Sequence, residues 1–239
     1  LVPLDALRGW AVLMMIFSAA VPWGTLPAWM YHAQVPPPDM KFDPSVPGIT
    51  WVDLVFPFFI FAMGAAIPFA YGRRAEKGPW WAVGGAILER GFGLLFFAVF
   101  VQHFRPGSID GAYGPRALWL SLAGFLVLML VFVRTPPSWP RWQGIATRFV
   151  GCLLAAAMLW SFRTAGGEGF SWGRSDIIIA VLANLAVAGP LVWLATRQSS
   201  LAKVAAMGVV AALVLASGKD GLARTVWMFA PWPGLIDIG

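Results

Sequence analysis

The chain has 239 residues, of which 59% are hydrophobic and 12% charged, and its mean hydropathy is +0.73. A soluble domain carries about 25% charged residues, so this composition excludes an ordinary soluble protein and predicts a polytopic membrane protein. The net charge of +6 does not indicate nucleic-acid binding, because the basic residues stand singly between apolar runs. A single cysteine, Cys152, excludes a disulfide or a thiolate metal cluster within these residues.

Seven apolar segments are long enough, or nearly so, to cross a bilayer as helices, which takes about 20 residues. They are roughly 4–22, 50–71, 80–101, 116–133, 146–162, 175–196 and 202–217. Residues 225–239 are also apolar, and we expect them to begin an eighth segment. The predicted fold class is an all-α membrane helical bundle with about seven spans. We expect one transmembrane domain over 1–239, incomplete at its C-terminus and part of a larger bundle.

Charged residues in the loops predict the orientation. The loops after the second, fourth and sixth segments hold eight basic residues and one acid, whereas the opposite loops and the C-terminal stretch hold seven of each. The side with more basic residues is normally cytoplasmic. Since the two totals are close, the short loop with Arg73, Arg74 and Lys77 decides the predicted orientation. We therefore expect the N-terminus in the cytoplasm and the loop that carries His32 outside it.

The loop between the first two segments, residues 23–49, is rich in proline, which lowers the entropic cost of holding one conformation. It carries His32, and a histidine can act near neutral pH as a general base or a nucleophile. Asp53 stands at the head of the second span, where a carboxylate favours a helix N-terminus and could also orient an imidazole. A rigid connector with a solvated histidine is the alternative interpretation.

Polar residues inside spans normally face a cavity or a partner, because burying them in lipid is costly. Asp5 and Arg8 lie three residues apart, so they predict either a local ion pair or an anchor for an anionic ligand. Glu89 and Arg90 are adjacent in the third span and point about 100° apart. Each is therefore expected to line a cavity or to pair with another helix, the candidates being Asp5, Arg8 and Asp53.

Several further residues are weaker candidates. His103, just beyond the third span, is the rival to His32 for any histidine role, and Ser18 is a polar position in the first span. Gly64 and the alanines after it predict close helix packing, and Pro57 predicts a kink. The sequence has no phosphate-binding loop, no metal-ligand spacing and no Gly-x-Ser-x-Gly elbow, so we expect chemistry without a metal.

The runs LDALRGWAVLMMIF and GITWVDLVFPFFIFAMGAAI, with the histidine-containing loop between them, resemble the transmembrane acyltransferases related to heparan-alpha-glucosaminide N-acetyltransferase. The later run SWGRSDIIIAVLANLAVAGPLVWLATR resembles a bacterial branch of that family. The resemblance implies transfer of an acetyl group from cytosolic acetyl-CoA to an amino sugar or other glycan across the bacterial cytoplasmic membrane. His32 matches the family's proposed catalytic histidine, and Asp53 matches the carboxylate of its ADLVFP-type motif.

The resemblance also implies roles for other residues. The family's opening Asp-x-x-Arg-Gly pattern matches Asp5, Arg8 and Gly9. On this hypothesis, Arg8 and Arg90 would face either the phosphates of CoA or structural carboxylates. The residues expected to be structural or to line the substrate are Asp5, Ser18 and Glu89.

Two features depart from the family pattern. An Asn common near the end of the first span aligns with Ala19, and the loop to His32 is longer than usual. The expected partners are membrane lipid and a glycan or amino-sugar acceptor, with a homodimer as the candidate assembly and no nucleic acid. The alternative function is a transporter or flippase for a glycan or lipid-linked precursor, without covalent chemistry, whose pathway Glu89 and Arg90 would line.

Overall fold

The computed structural model describes residues 2–216 with five internal exceptions, which are Val21, Trp23, Ala112, Thr135 and Ala165. This part of the chain forms eight α-helices and one short 3₁₀ helix, without strands. The α-helices are α1 (Val2–Ala20), α2 (Trp51–Lys77), α3 (Trp80–Phe104), α4 (Pro106–Asp110), α5 (Pro115–Phe132), α6 (Arg141–Ser161), α7 (Ile177–Thr196) and α8 (Ser200–Ala216), and the 3₁₀ helix is Ala28–Met30. The all-α prediction is confirmed, and each of the seven predicted spans coincides with a helix. The eighth predicted segment, 225–239, lies outside the described residues.

Six helices are long and apolar enough to cross a membrane, namely α1, α2, α3, α5, α6 and α7. Inside the protein, at most 33% of any of these apolar windows is buried. Exposing so much apolar surface to water would cost roughly 25 cal/mol per Å², whereas lipid solvates it. The chain is therefore a multi-pass membrane protein. The seventh predicted span corresponds to α8, which has 17 described residues.

The second span is longer than its predicted segment. α2 extends over 27 residues and ends at Lys77, whereas the apolar pattern ended at residue 71. Pro57 and Pro68 both lie inside this helix. Its last turn carries Arg74 and Lys77, and long basic side chains at a helix end can reach water while their stems lie along apolar surface. The basic segment predicted as a loop is therefore the end of a helix.

The chain divides into two compact units, residues 1–83 and 84–239, and the boundary falls within α3. In the first unit α1 packs against α2, and the ring of Phe17 lies 6.1 Å from that of Trp51. Ala11 of α1 is 1% exposed. This helix pair carries the long proline-rich loop between its two members.

The second unit has an aromatic core formed by α3, the loop after α6, and α5. The rings of Phe100 and Phe104 lie 4.7 Å apart, and Phe162 meets Phe104 edge to face at 5.6 Å. Gly124 of α5 permits this close approach, because a Cβ there would lie 3.1 Å from the Cβ of Phe104. The absence of a side chain at this position therefore sets the spacing between the helices.

A second close approach joins α3 and α7 through Gly91. A Cβ on Gly91 would collide with a methyl group of Val187. A Cβ on Gly64, by contrast, would meet no atom of the described residues within 4 Å. Within the first unit Gly64 therefore makes no close helix contact, and the close approach at a glycine lies at Gly91 in the next helix.

Candidate active site

The candidate site is built at the start of α2, where Thr50 and Asp53 cap the helix. Asp53 is the third helical residue, and its Oδ2 accepts the backbone N–H of Thr50 at 2.8 Å. The hydroxyl of Thr50 donates to the carbonyl oxygen of Tyr31 at 2.6 Å. A Thr-x-x-acid capping box of this kind satisfies N–H groups that a helix start otherwise leaves unpaired. It also holds the loop residue Tyr31 against the first turn of α2.

The carboxylate of Asp53 also binds the loop directly. Oδ2 accepts the backbone N–H of Ala33 at 3.2 Å, and Oδ1 lies 2.5 Å from Nδ1 of His32. Because an ionised carboxylate only accepts hydrogen bonds, Nδ1 carries the proton in this contact. The structure thus brings together His32 and Asp53, which are 21 positions apart in the sequence.

The two side chains differ in their exposure. The His32 side chain is 52% exposed and that of Asp53 is 18% exposed. In the described part of the chain, Nε2 of His32 has no hydrogen-bond partner. An imidazole that is oriented through Nδ1 and open at Nε2 has the geometry of a general base supported by a carboxylate.

The loop around His32 is held by the buried side chain of Tyr31 and the half-buried side chain of Gln34, as well as by prolines. Tyr31 is 7% exposed, and its hydroxyl accepts the backbone N–H groups of Thr25 and Leu26 at 3.0 and 2.9 Å. The side-chain amide of Gln34 donates to the carbonyl oxygen of Gly48 at 3.1 Å. These bonds fix the chain on both sides of His32, so its position follows from the fold of the loop.

A further turn of the same loop is closed by Asp43. Its backbone N–H donates to the carbonyl oxygen of Gln34 at 2.7 Å. Its Oδ1 accepts the hydroxyl of Ser45 at 2.6 Å and the backbone N–H of Ser45 at 2.9 Å. These two hydrogen bonds lower the pKa of Asp43 below its ordinary value and outweigh the opposing effect of desolvation.

Asp5, Arg8 and Ser18 are engaged within α1. Nη1 of Arg8 lies 3.5 Å from Oδ1 of Asp5, which is the local pair that their spacing predicted. The helix continues from Arg8 to Ala20, a rise of about 18 Å along its axis at 1.5 Å per residue. The hydroxyl of Ser18 donates to the carbonyl oxygen of Met15 at 2.9 Å. The hydroxyl group of Ser18 therefore donates its hydrogen bond within its own helix.

Glu89 and Arg90 are exposed on α3. In the described part of residues 84–239, neither side chain forms a hydrogen bond or an ion pair. Of their expected partners, Asp5 pairs with Arg8, and Asp53 binds His32. Within the described part of the second unit both ionisable groups are therefore exposed and unpaired, and their pairing with residues of the first unit stays a prediction.

His103, the rival histidine, is 0% exposed. Its Nδ1 donates to the carbonyl oxygen of Val99 at 2.7 Å, and its Nε2 accepts the backbone N–H of Ser171 at 3.2 Å. Phe162 meets the ring edge to face, and Phe170 stacks on it at 5.1 Å. Both ring nitrogens of His103 are engaged in hydrogen bonds within the fold, which is typical of a structural histidine. His32 is the histidine with a ring nitrogen open to a ligand.

Sequence reasoning missed part of the site. The contribution of Thr50 was detectable, since Thr50-x-x-Asp53 has the spacing of a capping box. Trp51 gave no such signal, yet its indole Nε1 is buried without a hydrogen-bond partner in the described residues. Nor do the described residues bring together three His, Cys, Asp or Glu side chains that could hold a metal ion.

A family model described as a domain of unknown function (DUF5009) matches residues 2–235, and the chain therefore belongs to this family. No curated protein and no solved structure matches the chain. The chemistry of the His32–Asp53 pair thus becomes the main guide to function.

Proposed function

We propose that this DUF5009 protein is a membrane-embedded acyltransferase that moves an acetyl group from acetyl-CoA to an amino sugar or other glycan acceptor. The observation that carries the proposal is the contact between His32 Nδ1 and Asp53 Oδ1, with Nε2 open. The likeness of the first 70 or so residues to the heparan-alpha-glucosaminide N-acetyltransferase relatives supplies the reaction class. No other histidine in the described residues combines exposure with a carboxylate partner.

The chemistry assigned to His32 is proton transfer. Nε2 takes a proton from the acceptor's amine or hydroxyl as that atom attacks the thioester carbonyl carbon. The carbon–sulfur bond then breaks, and the CoA thiolate leaves and recovers the proton from the imidazolium. Asp53 keeps Nδ1 protonated and stabilises the imidazolium charge through the 2.5 Å contact. A variant of this route has Nε2 carry the acetyl group transiently before the acceptor attacks.

The two sides of the membrane receive different substrates in this proposal. The basic end of α2, with Arg74 and Lys77, lies on the cytoplasmic side in this proposal, and the tendency of basic residues to stay on that side supports it. The loop with His32, at the other end of α2, is then extracytoplasmic and meets the glycan acceptor. Arg8 and Arg90 are assigned to the phosphates of acetyl-CoA. The protein would thus work in the bacterial cytoplasmic membrane.

The test is acetyl transfer by the purified protein in lipid nanodiscs. CoA release from acetyl-CoA is measured with glucosamine as the acceptor, and the mass of the acetylated sugar confirms transfer. General acid–base catalysis contributes about 10²–10⁴-fold, so His32→Gln is expected to lower the transfer rate by a factor in that range. The matched control is Lys41→Gln, an exposed residue of the same loop, which should retain the wild-type rate.

Two outcomes would contradict the proposal. If wild type and His32→Gln release CoA equally slowly with every amino sugar and glycan offered, the protein is not this enzyme. If His103→Ala alone abolishes transfer while remaining folded, the histidine has been assigned wrongly.

The side chains of Glu89 and Arg90 are exposed and have no partner among the described residues of the second unit, and this favours a second candidate, a transporter or flippase for a glycan or lipid-linked precursor. Ionisable residues within spans commonly mark a pathway. In that case Glu89→Gln would reduce uptake of a labelled glycan precursor into proteoliposomes, whereas His32→Gln would not. Under the acyltransferase proposal no such uptake is expected without acetyl-CoA.

A further inference from the structure

The second unit contains an open polar cavity, and all of its lining residues belong to that unit. It lies between the last turn of α3 and the loop that joins α6 to α7, and its volume is about 630 Å³. Side chains from both elements line it, including Gln102, Glu168, Phe170, Ser171, Arg174 and Ser175. Its lining thus combines an amide, an ion pair, hydroxyl groups and an aromatic ring.

The loop that forms this cavity is fixed by bonds to α3 and within itself. The backbone N–H of Asp176 donates to the carbonyl oxygen of Ala98 at 3.1 Å, and that of Ser171 donates to Nε2 of His103 at 3.2 Å. Thr164 and Glu168 close a turn through two mutual hydrogen bonds of 2.9 and 3.1 Å. Because the walls are held by backbone contacts, the cavity is pre-formed, which lowers the ordering cost of binding.

The turn between Thr164 and Glu168 also requires a glycine. Gly167 has a φ of +81°, in the left-handed region that residues with a Cβ rarely adopt. Its N–H donates to the carbonyl oxygen of Thr164 at 3.0 Å. The turn delivers the Glu168 carboxylate to Arg174, whose Nη2 lies 2.5 Å from Glu168 Oε2.

Two polar atoms of cavity-lining residues are buried and lack a partner. They are Oε1 of Gln102 and Nη1 of Arg174, and neither forms a hydrogen bond with any described residue. Buried polar groups are nearly always paired, so such atoms call for a specific explanation. Oε1 of Gln102 is an acceptor and Nη1 of Arg174 is a donor. Because a hydroxyl group both donates and accepts, a ligand with several hydroxyl groups complements both side chains, and it also suits the Gln102 amide in the flipped orientation.

The charge of the lining selects among ligands. Glu168 already neutralises Arg174, so the cavity offers no net positive charge to an anion. Phe170 adds an apolar wall, and its ring is held by stacking on His103 at 5.1 Å. A sugar ring matches such a lining, because its hydroxyl groups can bind the polar side chains and its apolar C–H face can pack on the Phe170 ring.

We infer that this cavity is a binding site for a neutral polyhydroxyl ligand, of the size of a mono- or disaccharide. The inference rests on the cavity in the second unit and does not require His32 to transfer an acyl group. Gln102 and Arg174 supply the hydrogen bonds, and Phe170 packs against the sugar face.

The experiment is equilibrium binding to the purified full chain in nanodiscs, without acetyl-CoA. Glucose and maltose are the neutral probes, and inorganic phosphate is the anionic probe. We expect saturable binding of at least one of the sugars and none of phosphate. Gln102→Leu and Arg174→Lys should each weaken sugar binding at least tenfold. The matched control is Arg163→Lys, a residue of the same loop whose guanidinium donates to the carbonyl oxygens of Trp160 and Phe162, and it should bind as wild type does.

A thermal unfolding scan accompanies every variant. If Gln102→Leu does not fold, Gln102→Asn replaces it, since the shorter amide withdraws its oxygen and should also weaken binding. Three results would overturn the inference: neither sugar binds saturably, the Gln102 and Arg174 variants bind as the wild type does, or phosphate binds in an Arg174-dependent manner while both sugars fail.

Discussion

The imidazole of His103 accepts the backbone N–H of Ser171 at 3.2 Å, and this bond ties the last turn of α3 to the loop between α6 and α7. The same ring donates to Val99 one turn earlier in α3. The two bonds fix a single neutral tautomer with its proton on Nδ1. His103 is thus a connector of the second unit, in contrast to the open ring of His32.

Replacing His103 with alanine is expected to destabilise the protein by about 2–4 kcal/mol. The change leaves a cavity among Phe162 and Phe170 and removes the acceptor for the Ser171 N–H. Thermal unfolding of the detergent-solubilised protein measures the effect. If acyl transfer is observed in the wild type, the rate per folded molecule should stay within a few fold of it.

The matched comparison is His32→Ala, because the side chain of His32 is half exposed. Its unfolding temperature should fall much less than that of His103→Ala, while its acyl transfer should be lost. A reversed pattern, with a stable but inactive His103 variant, would show that exposure is a poor guide to the functional histidine.

Asp53 has two tasks that can be separated by mutation. Asp53→Asn keeps the shape of the side chain but removes the charge that, under the proposed mechanism, supports the imidazolium of His32, so we expect at least a tenfold loss of transfer. Loss of helix-cap strength should also cost about 1 kcal/mol of stability. Both quantities are measured on the same preparation by a CoA-release assay and thermal unfolding.

Thr50→Ala is the control for the capping effect. It removes the hydroxyl bond to the carbonyl oxygen of Tyr31 and the 3.1 Å contact with Oδ2 of Asp53 but leaves the Asp53 carboxylate with its charge and its contact to His32. A stability loss similar to that of Asp53→Asn with much more activity retained would support the separate catalytic role. Equal losses of activity in both variants would mean that Asp53 acts only by holding the loop.

The apolar runs of the sequence predicted the helices well, because a span requires about 20 apolar residues whatever its neighbours are. The ends of helices were less predictable. α2 continues to Lys77 and α6 begins at Arg141, since basic side chains at a helix end can reach water. The short helix α4 was missed because five residues carry no periodic signal.

The candidate site was only partly predictable, for a different reason. His32 and Asp53 were selected by residue type and family likeness, but their contact depends on how Tyr31 and Gln34 fold the loop. The cavity around Arg174 was not predicted at all. Its residues come from a helix end and a distant loop, and no local pattern in the sequence reports that they meet.

Gly91 and Gly64 differ in the space that surrounds them, and alanine substitutions test this difference. Gly91→Ala is expected to destabilise the protein by about 1–3 kcal/mol, because the new Cβ collides with the branched, stiff side chain of Val187. Gly64→Ala should be neutral or stabilising by up to about 1 kcal/mol, since alanine favours a helix and the space is open. Thermal unfolding compares the two, and a larger loss at Gly64 would contradict the packing described for α2.

The orientation of the chain can be tested with single cysteines. Cys152 is exposed on α6, so Cys152→Ser provides a background without reactive thiols. In that background Asp39→Cys reports on the loop of His32, and Lys77→Cys reports on the end of α2. Both positions are exposed in the structure. A membrane-impermeant maleimide added to intact spheroplasts should label Asp39→Cys and should label Lys77→Cys only after permeabilisation.

The physical basis of this expectation is the cluster of basic residues at the end of α2. Basic residues in short segments near spans stay on the cytoplasmic side, and α2 carries Arg73, Arg74 and Lys77 within five positions. The other end of α2 carries Asp53, which contacts His32 of the preceding loop, and both would then face an extracytoplasmic acceptor. Labelling of Lys77→Cys in intact spheroplasts, with Asp39→Cys protected, would place His32 in the cytoplasm. The acceptor would then have to be a cytosolic compound, and transfer across the membrane would be excluded.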